Sequence, residues 1–258
     1  MLIVNADDWG LRAGVTDAIA ACWRAGAVTS ASAMVAMADS ERAFGLAAEL
    51  GLPLGLHLNL TTPFDAAAVA PELRARQARA VAYFAGSPRR RLLYDPRARG
   101  LLDACVGDQL DLFAAAAGMA AAHADGHQHV QTCPTVLATP ALGRVSSLRR
   151  AHGFVAGGSP AAHGYRRIVN FGLRRRFRSA LFVSLRDLHP DLGGVGLERL
   201  AELARDRKVE VMVHPAWDDE REVLLSPAWK RLMEELPTGS HAALLALPAA
   251  GSRSSRTR

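Results

Sequence analysis

The chain of 258 residues is half hydrophobic and 22% charged, with a formal net charge of +6. That length fits one large α/β domain better than two small ones, and the composition excludes a disordered or collagen-like chain as the main state. No apolar run approaches the ~18 residues that cross a bilayer, because the best candidate, residues 110–125, is cut by Asp111, His123 and Asp125. A soluble chain without a membrane span is expected.

Arg253, Arg256 and Arg258 lie in a Ser/Thr-rich stretch, residues 249–258, which reads as a disordered basic tail; without them the body, residues 1–248, carries +3 and forms the expected single domain. The basic clusters Arg89 to Arg91, Arg149 to Arg150 and Arg174 to Arg178 have no helix-turn-helix, RRM or zinc-finger context. They read as solvated surface, so no nucleic-acid partner is expected. The start, MLIVNADDWG, has no basic region ahead of an apolar one, so a cytoplasmic location is the expectation. Cys22, Cys105 and Cys133 form no CxxC pair and read as buried thiols.

Short β-rich apolar runs alternate with Ala/Leu-rich stretches of helical length, the pattern of βα units around a mostly parallel sheet. Residues 2–6 form the first expected strand. Residues 14–25 form the first helix, with Val15, Ile19, Cys22 and Trp23 on one stripe that ends at Gly26. Further strands are expected at 28–35, 54–60, 124–130, 153–156, 180–185 and 209–213, and helices near 40–50, 104–122, 136–151, 197–207 and 226–236. Seven strands with intervening helices point to a distorted, TIM-barrel-like (β/α) barrel of seven βα units. Residues 62–102, with Pro63, Pro71, Pro88 and Pro96, are the least regular and read as a long excursion over one face; the sequence leaves open whether it acts as a lid.

Four motifs carry chemistry. The first strand ends in the adjacent carboxylates Asp7 and Asp8, which repel unless a cation compensates them or a helix start takes them as caps; the motif alone leaves both readings open. In GLHLNLT, alternation puts His57, Asn59 and Thr61 on one face of a strand, where unpaired polar groups cost about 1–3 kcal/mol each. In HADGHQHV, period-two geometry aligns His123, Asp125, His127 and His129, the densest set of ligand-type side chains in the chain. A His/Asp set leans toward a transition metal, with Asp125 suited to orient a histidine from behind. In VEVMVHPA, an apolar strand finishes in His214. Strand ends converge at a barrel mouth, so Asp7, Asp8, His57, His127 and His214 are expected to meet. His152, His163, His189 and His241 read as ordinary loop or surface residues. No GxSxG elbow, GxxxxGK[ST] loop or strand-linked GxGxxG is present.

NADDWGL, GLHLNLT, HADGHQHV with the following Pro134, and VEVMVHPA stand in an order that resembles the YdjC-like carbohydrate deacetylases, the ChbG/HpnK family, over residues 2–216. The resemblance implies a hydrolase of linear amide bonds that removes acetyl groups from N-acetylated carbohydrates, chito-oligosaccharide-like or lipid-linked, with one divalent metal ion, magnesium or zinc. By the same resemblance Asp8, His57 and His127 look like metal ligands, Asp7 like the general base and His214 like the acid. Asn59, Asp125 and His129 are candidates for outer-layer or substrate contacts, and a homodimer is a family-based expectation. Two departures stand out: Gln131 replaces a histidine frequent in the family, and residues 153–160 lack the arginine expected after that strand. The competing readings are a metal-dependent phosphoesterase or other hydrolase, and a non-catalytic sugar-binding barrel.

Overall fold

The computed structural model describes residues 1–151, 159–188 and 196–248. In chain order these form β1 (Leu2–Trp9), α1 (Ala13–Arg24), β2 (Ser30–Ala33), α2 (Ser40–Leu50), β3 (Leu54–Leu58), α3 (Pro71–Ala85), α4 (Arg99–Ala117), β4 (His123–Gly126), α5 (Pro134–Leu137) and β5 (Ser147–Leu148). There follow α6 (Pro160–Arg176), β6 (Leu181–Ser184), α7 (Leu185–Leu188), α8 (Gly196–Asp206), β7 (Val209–Val213), α9 (Asp218–Leu224), α10 (Pro227–Glu235) and α11 (His241–Ala246). Short 3-10 turns lie at Pro88–Arg91, His127–Thr132 and Ala141–Arg144.

The strands are all parallel, in the order β5-β4-β3-β2-β1-β7-β6. The sheet curls until its two edges meet at one parallel bridge, Ser147 with Arg178. There the Leu148 N–H donates to the Arg178 carbonyl at 3.1 Å and the Arg178 N–H to that of Ser146 at 3.0 Å. Alternation sorts the side chains. Leu2, Val4, Ala6, Leu56, Leu58, Val209, Val211 and Val213 join the main apolar core with residues of the helices. Across the sheet, the inner face carries Asn5, Asp7, Ser30, Ser32, His57, Asp125, Arg149 and Glu210, all buried. Barrel interiors of this kind are usually filled by branched aliphatics. Here hydrogen bonds link much of the polar filling: Ser30 Oγ donates to Asn5 Oδ1 at 2.8 Å, Asn5 Nδ2 to Ser32 Oγ at 2.8 Å, and Ser32 Oγ to Asp125 Oδ2 at 2.7 Å. At the floor, Leu244 of α11 packs with Ile3 and Ala180.

The distorted barrel expected from the sequence is therefore present, with several elements redrawn. Residues 136–151 were expected to form one helix, but Pro140 and Gly143 interrupt the pattern, and the segment folds as the end of α5, a 3-10 turn and the two-residue β5. The strand expected at 153–156 lies outside the described residues. The segment 62–102 is more regular than expected, since it contains the 15-residue α3 and the start of α4.

Candidate metal and acid-base site

Two adjacent residues of a strand normally point to opposite faces, yet Asp7 and Asp8 both serve the mouth. The pairing of β1 with β2 explains it: Ala6 opposes Ala31 and Trp9 opposes Ala33, so one extra residue bulges out. Asp8 takes up that bulge at φ 71°, a left-handed conformation that costs a non-glycine residue about 1 kcal/mol or more. Asp7 keeps the inward direction of Asn5, whose Nδ2 donates to Asp7 Oδ1 at 3.0 Å.

His57 projects inward from β3 with Nδ1 held 2.7 Å from Asp125 Oδ1, which leaves Nε2 facing Asp8 Oδ1 at 3.2 Å. This carboxylate behind the imidazole is the arrangement that fixes a metal-binding histidine. His127 follows the end of β4 and places Nδ1 3.0 Å from the same Asp8 oxygen. Ligand-type atoms of Asp8, His57 and His127 thus lie within 4.8 Å of one another. Burial disfavours a charged His57, but Asp125, Asp7 and Asp8 overcome it and raise its pKa to about 10. Asp8 is held well below the usual carboxylate range, because both histidines outweigh the effect of burial. One carboxylate and two imidazoles around a point that demands positive charge is a donor set that fits a divalent cation.

A second cluster, Asp7 with His57 and Asp125, is equally tight but is already compensated. The buried Arg149, directly behind β5, donates from Nη1 and Nη2 to Asp7 at 2.6 and 2.7 Å, lies 2.5 Å from Asp125 Oδ2 through Nη2, and donates from Nε to Glu210 at 2.6 Å. Burial raises the pKa of Asp7 and of Glu210, and the guanidinium reverses both, taking Glu210 down to about 2 and Asp7 well below its ordinary value. Arg149 was read from the sequence as solvated surface, so this is a correction. It stands directly after the short strand that forms at 147–148, ahead of the stretch 153–160 where an arginine was expected. The available signal was a short β-prone VSSL run following the helix-breaking Pro140 and Gly143.

His214 ends β7 on the other side of Asp7 and Asp8. Its ring stacks on Trp217 with centroids 4.1 Å apart, its backbone N–H donates to Glu220 Oε2 at 2.6 Å, and its Nδ1 lies 3.7 Å from Glu220 Oε1. Burial lowers its pKa, but Glu220, Asp7 and Asp8 prevail and raise it. Asp7, Asp8, His214 and Trp217 share one cleft of about 450 Å³.

The HADGHQHV stretch departs from its expected alignment. The strand stops at Gly126, and Gln128 and His129 adopt left-handed φ of 53° and 60°, so period-two spacing ends there. His127 reaches Asp8, whereas His129 lies edge-on to Phe182 at 5.9 Å. His123, at the start of β4, stacks at 3.7 Å on His241, which is buried rather than on the surface as expected. Asn59 holds the turn after β3, its Oδ1 accepting from the Thr62 N–H at 2.9 Å and its Nδ2 donating to the Thr62 carbonyl at 2.8 Å. Gln131 is buried with both amide atoms unpaired. Arg91 of the 62–102 segment donates to Gln128 Oε1 at 2.6 Å, which ties that segment to the loop after β4.

Fold and site together define a distorted (β/α) barrel with a histidine–carboxylate centre at the carboxyl ends of its strands. The chain belongs to the family of YdjC-like proteins, whose model matches residues 1–236. Among its relatives, a human protein named carbohydrate deacetylase is 36% identical over 143 residues, 52% of this chain and 42% of that protein. A carbohydrate deacetylase of Brevibacillus brevis is 36% identical over 140 residues, 53% of this chain and 52% of that protein. A chitooligosaccharide deacetylase of Proteus mirabilis is 48% identical over 62 residues, 24% of each chain. The chain thus spans about half the length, or less, of the curated relatives it matches. A crystal structure from Enterococcus faecalis, described as a candidate cellobiose-phosphate cleavage protein, shares the fold with a TM-score of 0.66 and 20% identity, covering 94% of this chain and 98% of that one. Among the described residues, no helix is long and apolar enough to cross a membrane.

Proposed function

We propose that this protein is a divalent-metal-dependent carbohydrate deacetylase that hydrolyses the acetamide of a small N-acetylated sugar. Residues 1–248 are read as one domain. The observation that carries the reading is that an arginine-held aspartate and a carboxylate-backed histidine share one cleft with Asp8, the carboxylate on which His57 and His127 converge. The names of the relatives support it.

In this reading Asp8, His57 and His127 hold the cation, with Asp125 orienting His57. That group, when bound, polarises the acetyl carbonyl and acidifies a water, which a base as weak as an arginine-paired carboxylate requires. Asp7 accepts the proton of the attacking water at the carboxylate that Arg149 keeps ionised and fixed in direction. His214, kept protonated by Glu220 and the two aspartates, donates its proton to the departing amine. Trp217 holds the His214 ring from one face.

The test is acetate release from N,N′-diacetylchitobiose, longer chito-oligosaccharides and other N-acetyl sugars by metal-reconstituted protein, beside a chelated sample. Release that disappears on chelation is expected. A metal-loaded protein that liberates no acetate from any of them would overturn the reading.

A further inference from the structure

Far from the mouth, the seam of the barrel carries a cleft of about 650 Å³ at the amino-terminal ends of β6 and β7. Arg150, Arg174, Arg178, Arg207 and Lys208 line it, against the single acid Asp206. None of these five cations forms an ion pair among the described residues, whereas Arg42, Arg76, Arg144, Arg149, Arg186, Arg199 and Arg221 all do. What sets the cleft apart is the gathering of five such cations in one concavity against a single acid.

Two of the five are held in place by the seam itself. Arg150 donates from Nε to Ser179 Oγ at 2.7 Å and from Nη2 to the Ser179 carbonyl at 2.9 Å. Arg178 donates from Nη1 to the carbonyls of Leu245, at 2.9 Å, and of Leu247. Both guanidinium groups are thus fixed before any ligand arrives, which lowers the ordering cost of binding. Burial and the neighbouring Arg174 hold the Arg150 pKa down at about 10, the mark of a cation short of negative partners.

We propose that this seam cleft is a second binding site, for a small molecule that carries two or more negative charges on phosphoryl groups. Guanidinium forks match the oxygens of a phosphoryl group in pairs, and several forks around one hollow suit a multiply charged anion. A hollow of this volume accommodates more than one phosphoryl group. The cleft also sits beside the catalytic apparatus in sequence: Arg150 faces it while Arg149 turns inward to Asp7.

The experiment is isothermal titration of the full chain with sodium pyrophosphate at constant ionic strength, sodium chloride serving as the control. Saturable binding of pyrophosphate is expected, with Kd at least tenfold weaker in an Arg174→Ala/Arg207→Ala double variant; both side chains are exposed, so a thermal melt should confirm an intact fold. Arg167→Ala, on the same helix but outside the cleft, should leave Kd unchanged. Absence of saturable binding in the unmodified protein, an unchanged Kd in the double variant, or an equal loss in Arg167→Ala would overturn the proposal.

Discussion

β4 feeds two histidine pairs of opposite character. At the mouth, His57 and His127 meet edge-on at 5.6 Å around the Asp8 carboxylate. At the floor, His123 and His241 stack face to face at 3.7 Å, and His123 Nε2 has no hydrogen-bond partner. Burial disfavours the charged form at both ends, yet His57 is raised to about 10 while His123 falls well below 6.5 under burial, His241 and Arg149. The same side chain becomes a group that demands positive charge or one that refuses it, according to whether carboxylates face it. His57 on β3 and His123 on the adjoining β4 show the two outcomes on neighbouring strands.

The strongest way to break this contrast is to remove the cation between the two ends. Arg149→Met strands Asp7, Asp125 and Glu210 as buried, uncompensated carboxylates, and a loss of about 3–5 kcal/mol is expected in urea unfolding, together with loss of activity. Next come substitutions confined to the mouth. Asp7→Asn should lower kcat about 10²- to 10⁴-fold while the protein still takes up metal, as metal analysis would show. His127→Ala should abolish metal uptake itself, and full metal content in that variant would remove His127 from the donor set.

Smaller effects are expected at the floor. A Cβ on Gly55 would lie 2.1 Å from the His123 ring, so Gly55→Ala should destabilise by about 1–3 kcal/mol without altering metal content. The floor also predicts an acid response. Because the His123 pKa is depressed in the folded state, its imidazole is neutral in the folded and the unfolded chain above pH 6.5, and just below it only the unfolded chain takes the proton. Stability should therefore fall with decreasing pH by up to about 1.4 kcal/mol per unit from this group, and His123→Leu should flatten that slope. A slope unchanged in the variant would show that another group governs it.

Much of the mouth was legible in the sequence because its residues sit on strands or at their ends, where alternation and convergence are reliable. Asp7, Asp8, His57, His127 and His214 do assemble at one end of the barrel. The misreadings share a physical origin. The period-two rule was carried past Gly126, where two left-handed residues end the strand. β5 has only two residues, too few to show a pattern, so Arg149 passed for surface. His241 lies on a short helix with no distinctive local sequence, and its burial follows from where α11 meets the barrel floor, a long-range fact. The helix α6, with five arginines and no acid, lacks the clear apolar stripe that reveals α1.

The closure of the barrel on a two-residue strand has a mechanical consequence. A ring of staves is only as strong as its poorest joint, and here that joint is two backbone hydrogen bonds beside Ser147, with the Arg150 side chain reaching across to Ser179. The residue that orients Asp7 is the next but one along. Local opening of the joint would release Arg149 before the other strands part, so the protein would act as its own fuse: mild denaturant should extinguish turnover at a concentration where the bulk of the β-structure still stands.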